Sequence, residues 1–208
     1  MDDEPDNRQR TTRLERWKMY AKISDTSTIT RRVFTMNGFD GALTILGVSI
    51  GAYMSHIDDP SVLIMAGISG AFAMGISGFS GAYMAESAER TKEIKDMERA
   101  LLKSLDEDST QMEAAKFATN ITAIVTALSP VATGLIVLSP YFLANSGAIS
   151  METAFISSLL LAFAVLTGMG IYLAKVTHGN MLIHGLKMLA IGISVAVLCS
   201  AVSILLGA

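Results

Sequence analysis

FATNITAIVTALSPVATGLIVLSPYFLANSGAISM, residues 117–151, runs without a single Asp, Glu, Lys or Arg, and its reading decides the fold. A helix needs roughly 20 apolar residues to cross a hydrocarbon core of about 30 Å. The stretch is therefore either one span over 117–143 with a polar-edged turn behind it, or a tight hairpin bent near Pro130. The charges outside it separate the two. With one span here, the chain contains five: 33–57, interrupted only by Asp40; 61–85; 117–143; 153–174; and 188–208.

Counted over the connections, Lys and Arg then fall eight in the N-terminal segment, none in 56–60, six in 86–116, none in 144–152 and two in 175–187. All 16 lie on one side, which the positive-inside rule makes cytoplasmic. A hairpin at Pro130 would push Lys175 and Lys187 outside. The expected protein is thus all-α and polytopic, with five transmembrane helices, its N-terminus in the cytoplasm and its C-terminus outside.

Composition agrees. Hydrophobic residues make up 51% of the 208 and charged residues only 17%, against about a quarter charged in soluble domains, and the mean hydropathy is +0.46. An ordinary water-soluble enzyme is excluded by these numbers. The single cysteine, Cys199, allows no intrachain disulfide, and the polar start MDDEPDNRQR lacks the apolar core of a cleavable signal peptide. The net charge of −3 gives no reason to expect nucleic acid as a partner.

Four segments follow: a cytoplasmic N-terminal amphipathic segment (1–32), transmembrane helices 1 and 2 (33–85), a short cytoplasmic helical insertion (86–116) and transmembrane helices 3 to 5 (117–208). Within the first, residues 8–24 interleave Leu14, Trp17, Met19, Tyr20 and Ile23 with mixed charge, as an interfacial helix does, with a solvated lead-in helix as the alternative. The second span is expected to continue as a helix through about Leu105, ahead of a turn at 106–110. Gly47 and Gly51 form a GxxxG, and Gly67, Ala71 and Gly75 recur every four residues, a spacing that lets helices approach closely. That face suits packing within one protomer and a dimer seam equally.

Asp40 is the most informative residue. It lies about seven residues inside the first span, roughly 10 Å along the axis, where an ionisable side chain points to an ion or proton path. Satisfaction by Asn37, Thr44 or Arg32 is the structural alternative. Met74, in the second span, offers a thioether, a soft donor for a transition metal, though a lone Met is more often core filler. Glu86, Glu89 and Glu93 share one helix face below the membrane, with Asp96 and Met97 a turn further and Met112 and Glu113 on the returning helix. Converging carboxylates repel unless a cation binds between them, so this is either an oxygen-rich metal site with thioether help or a solvated face neutralised by Arg90, Lys92, Lys95 and Arg99. His56, Asp58 and Asp59 form a small polar group on the opposite side, suited to receiving or releasing a cation and equally to a plain loop. No Walker loop, zincin motif, nucleophile elbow or Cys/His cluster is present, so the chain is not expected to be an enzyme.

These residues, in this order, resemble the vacuolar iron transporter family of iron and manganese carriers. The carrying stretches are Asn37-Gly-Phe-Asp-Gly-Ala-Leu-Thr44, Ala66-Gly-Ile-Ser-Gly-Ala-Phe-Ala-Met-Gly75, Gly134-Leu-Ile-Val-Leu-Ser-Pro-Tyr141 and Gly185-Leu-Lys-Met-Leu-Ala-Ile-Gly192, over about residues 33–208. The resemblance implies a homodimer in the lipid bilayer that exports ferrous iron or manganese from the cytoplasm in exchange for protons, along a pathway at the dimer interface. It implies Asp40 and Met74 as membrane-embedded ligands and Glu86, Glu89 and Glu93 as cytoplasmic capture, with Met97, Met112 and Glu113 as secondary candidates. No prosthetic group is implied, only transported Fe2+ or Mn2+. The sequence departs from the family in two places. An acidic residue of the second span is missing, where Gly81-Ala-Tyr83 stands, with Glu86 one turn below as the conceivable substitute. The cytoplasmic insertion, 86–116, is also too short for a full three-helix metal-binding domain. A cell membrane is the expected host, with a vacuole-like membrane as the alternative. The competing functions are a non-transporting five-span scaffold and a carrier for another cation.

Overall fold

The computed structural model describes residues 17, 19–21, 26–102, 109–177 and 179–206. It contains five long helices: α1 (Thr26–Met54), α2 (Pro60–Leu101), α3 (Thr110–Asn145), α4 (Met151–Val176) and α5 (Met181–Leu206). Each is long and apolar enough to cross a membrane, so the all-α, five-span reading holds. The uncharged stretch 117–151 supplies the last part of α3, which passes straight through both Pro130 and Pro140, and no hairpin forms. Proline inside a helix removes one N–H donor and leaves the carbonyl four residues earlier without its partner. At Pro140 that carbonyl, on Ile136, accepts from the Ser139 hydroxyl at 2.7 Å.

The helix starts and stops follow from local chemistry. Asp59 caps α2 through the Ser61 N–H, with Pro60 in the first turn, where a missing N–H costs nothing. Ser109 and Ser150 cap α3 and α4 in the same way, accepting from Met112 and Thr153. α2 is 42 residues long, about 63 Å at 1.5 Å per residue, twice the hydrocarbon thickness; its charged end, from Glu86 on, is a stalk beyond the apolar part. It stops at Leu102, whose left-handed backbone (φ 50°) turns its N–H back to the carbonyl of Arg99. The predicted continuation to Leu105 and the start of the turn, 106–108, lie outside the described residues, while Ser109 and Thr110 at its end are the cap and first residue of α3.

α1 is the hub, touching all four other helices, while α3 fills the long groove against α2. Two close approaches fix the hub. A Cβ on Gly41 would lie 2.2 Å from the Pro130 carbonyl oxygen, so α1 and α3 cross with backbone against backbone. Hydroxyls of α3 clamp the crossing: Thr133 Oγ1 donates to the Gly38 carbonyl at 2.8 Å, and Ser129 Oγ donates to that of Phe34. The Gly67, Ala71 and Gly75 face packs within the protomer, Gly67 against Leu138 and Gly75 against the Ala127 carbonyl. Of the GxxxG, Gly51 meets nothing within 4 Å.

The apolar core sits in the half of the bundle near the α1–α2 and α3–α4 connections, around Ile45, Leu46, Leu63, Val137, Leu138 and Tyr141. α5 lies on the outside, against α4 and α1, with Leu182, Leu198 and Leu205 largely exposed. A helix apolar all round and barely covered by its own chain needs an apolar surrounding. Of the N-terminal amphipathic segment, only Trp17 and residues 19–21 are described. They are helical, and the rings of Trp17 and Tyr20 meet Phe117 on α3 at centroid distances of 6.2 and 6.0 Å.

Candidate functional site

Asp40 stands at the midpoint of α1, fourteen residues from either end of a 29-residue helix, deeper than the seven residues counted from Val33. The reason is that α1 begins at Thr26 and runs unbroken through Arg31 and Arg32, with Arg31 Nε donating back to the Ser27 carbonyl at 3.1 Å. Its neighbours Gly38, Gly41 and Ala42 are buried against the bundle, whereas Asp40 points to the outside surface. No hydrogen bond or ion pair to another described residue engages its carboxylate, so Arg32 does not neutralise it.

On that surface Asp40 and Met74 line one shallow cavity of about 410 Å³, together with Asn37, Ala73, Ser77, Gly78 and Pro130. Thr44 Oγ1, one turn above Asp40, donates to Met74 Sδ at 3.4 Å and fixes the thioether beside it. Asn37, which also lines the cavity, uses its amide N–H on the Val33 carbonyl at 2.9 Å and keeps its carbonyl oxygen as an acceptor. The two sequence candidates, 34 residues apart, are thus brought together on adjacent helices.

One wall of the cavity was missed by sequence reasoning. Pro130 lines it directly, and Gly78 beside it packs on Thr126, whose carbonyl oxygen would stand 3.3 Å from a Cβ there. The signal was present in the sequence, as a proline in mid-span facing a glycine, but pairing the two required the fold. Together the cavity offers a carboxylate, a thioether, an amide oxygen and a hydroxyl, a mixed hard and soft set suited to a divalent transition ion.

The cytoplasmic candidates behave differently. Arg90 reaches both ways along α2: its Nε is 2.9 Å from Glu86 Oε1 and its Nη1 2.9 Å from Glu93 Oε2. Glu86 and Arg90 are mostly covered, with side chains 12% and 13% exposed, while Glu93 is half exposed. Glu89 and Met97 are exposed. Met112 lies across from Arg90 in a separate cavity between α2 and α3. Glu113 turns away from the others and accepts from the Tyr20 hydroxyl. Among the described residues, no three His, Cys, Asp or Glu side chains are grouped as a metal site. Glu86, one turn below Ala82, lies twelve residues from Met74, about 18 Å along the helix, and pairs with Arg90.

At the opposite end, Asp59 is used up as the cap of α2, its Oδ1 accepting from the Ser61 N–H at 2.9 Å and the Ser61 hydroxyl at 2.7 Å. These two hydrogen bonds hold its carboxyl below the usual carboxylate range. His56 takes a left-handed backbone (φ 54°) in the same turn.

The family model of the VIT family matches residues 31–119, covering most of α1, all of α2 and the first turns of α3. An uncharacterised protein of Methanocaldococcus jannaschii is 33% identical over 162 residues, 77% of this chain and 81% of that protein. By this match and its five apolar spans, the chain belongs to the vacuolar iron transporter (VIT) family, multi-pass membrane proteins that carry metal ions.

Proposed function

We propose that this protein exports ferrous iron or manganese from the cytoplasm across the cell membrane in exchange for protons. The observation that carries the reading is the cavity shared by an unpaired Asp40 and the Thr44-held Met74. A carboxylate at mid-span is costly unless a cation or a proton meets it, and an Asp suits alternation because proton uptake lowers its affinity for the metal. Met74 favours an ion soft enough to accept sulfur. Orientation rests on charge: the end bearing the α2 stalk carries the Lys and Arg, which puts it in the cytoplasm and makes transport efflux.

One protomer supplies too few donors for a six-coordinate ion. Because the cavity opens on an outside face of α1 and α2, a second copy related by a two-fold axis would double the set, which supports a homodimer with the pathway between the copies. Glu86, Glu89 and Glu93 line the intake side in this reading, where an arriving divalent cation competes with Arg90 for Glu86 and Glu93. Replacing all three by Gln is expected to lower apparent metal affinity; unchanged affinity returns them to a solvated, arginine-neutralised face.

The deciding experiment is uptake of Fe2+ and Mn2+ into inside-out proteoliposomes under an imposed pH gradient, with Asp40→Asn as the comparison. Gradient-driven uptake lost in the variant is the expected result. Folded wild type that moves neither ion would bring forward the scaffold reading or another cation.

A further inference from the structure

A second cavity, of about 440 Å³, opens at the end of the bundle remote from the α2 stalk, between the last turns of α1 and α3 and the first of α4. Its floor carries the hydroxyls of Ser49 and Tyr141, residues 1% and 0% exposed, and neither hydroxyl makes a well-formed hydrogen bond to another described residue. Ser49 and Ser158 stand beside the Tyr141 oxygen, but Ser158 donates its own proton to the Val137 carbonyl at 2.8 Å. A buried hydroxyl left so is costly unless water or a ligand meets it, and this cavity is roomy enough for both. Asp58, Glu152 and His56 line it as well. No Lys or Arg does, and Asp59 is committed to Ser61. Tyr53 stacked on Phe155, centroids 4.1 Å apart, makes the apolar wall.

We propose that this cavity binds a divalent cation that keeps its water shell. The charge of Asp58 and Glu152 attracts the ion, while the Ser49 and Tyr141 hydroxyls take up hydrogen bonds of its waters. Among the described residues no three His, Cys, Asp or Glu side chains group tightly enough to hold an ion directly, which favours an ion that keeps its waters. Water-mediated holding makes the site weak and quick to release. Ser49 follows Asp40 by nine residues on α1, about 13 Å, with Ala42, Ile45 and Leu46 buried between them. The role of the site, rehydrating an ion on its way out, rests on the export reading; the binding does not.

The test uses the full chain in lipid nanodiscs, carrying Asp40→Asn so that the membrane cavity lacks its carboxylate and Glu86→Gln, Glu89→Gln and Glu93→Gln so that the stalk lacks its own, with Mn2+ alone as probe. Electron paramagnetic titration is expected to show weak binding with the water shell retained, and the bound ion should broaden the imidazole signals of His56 beyond those of the other two histidines. Adding Asp58→Asn and Glu152→Gln, both at exposed positions, should weaken binding about tenfold, the loss of two charges near a dication in a watery setting. Equal affinity in the charge-removed variant, no selective broadening at His56, or nitrogen coordination of the bound Mn2+ would each overturn the proposal. The export reading stands or falls separately, on whether Asp40→Asn abolishes pH-driven uptake.

Discussion

Asp40 and the pair Glu86 and Glu93 are carboxylates on neighbouring helices, yet the fold treats them in opposite ways. The two glutamates are each 2.9 Å from Arg90, which sits four residues after one and three before the other. That arrangement is a property of helix spacing alone. Asp40 has no such partner: its helix turns Gly38, Gly41 and Ala42 inward and leaves the carboxylate on the outer face beside a thioether. Acidic density is thus a poor guide to the site in this chain. A single carboxylate that no described residue neutralises in an apolar span says more than two that travel with their own arginine, because only the first carries a standing electrostatic cost.

The sharpest way to break this comparison is to neutralise each region in turn. Asp40→Asn is expected to bring metal uptake down to that of empty liposomes while leaving the melting temperature unchanged, since its carboxylate bonds to no described residue. If uptake survives Asp40→Asn and fails in Glu89→Gln, the order of importance is reversed.

Next in size is the scaffold that aims Asp40 outward. Gly41→Ala would place a methyl 2.2 Å from the Pro130 carbonyl and 2.7 Å from its Cα, both backbone atoms that have no way to swing aside. Overpacking of this kind costs about 1–3 kcal/mol or more, so detergent-solubilised protein should melt earlier and lose transport along with its fold. Gly51→Ala is the control: its Cβ meets nothing within 4 Å, and the gain in helix propensity is up to about 1 kcal/mol. Equal effects of the two would mean that α1 and α3 do not cross as described.

Arg90→Gln comes third. It strips the cation from a Glu86 side chain that is only 12% exposed and from a more open Glu93. Discounted for partial exposure, the loss is about 1–2 kcal/mol, read as a lower melting temperature that Glu86→Gln in the same chain restores. Under the export reading, the same variant should also bind Mn2+ more tightly at the stalk, since the competitor for Glu86 and Glu93 is gone.

Most of the fold was legible because its decisive features are local in sequence: uncharged runs of span length, the i, i+4 stripe of Gly67, Ala71 and Gly75, and the uneven placement of Lys and Arg. The misjudged boundaries have one cause. α1 starts seven residues before Val33 and α5 seven before Met188, since a charge marks the edge of an apolar run but not of a helix: Arg31, Arg32 and Lys187 ride on helix with their stems along it, and Arg31 bonds back to Ser27. Asp40 and Met74 could be named from residue type, but their meeting could not be deduced, nor could the wall of Pro130 and Gly78 beside them. Ser49 and Tyr141, 92 residues apart, were invisible for the same reason: two hydroxyls in apolar runs acquire meaning only when α1 and α3 bring them to one cavity.

The smallest effect concerns the third carboxylate environment, the exposed cap. Asp59 is held below the usual carboxylate range by the Ser61 hydroxyl and N–H. A group whose folded value is depressed contributes its stabilisation in full above its unfolded value, near 4, and loses it as pH falls through the lower folded value. Amide exchange at Ser61 should therefore accelerate, relative to the intrinsic rate, only in that acidic window. Asn caps a helix about as well as Asp and does not titrate, so Asp59→Asn should protect the Ser61 amide equally at neutral pH and remove the acid-side loss. A loss that persists in Asp59→Asn would have to come from another acidic group, and the cap would then join Glu86 and Glu93 as a carboxylate whose local partner already accounts for it.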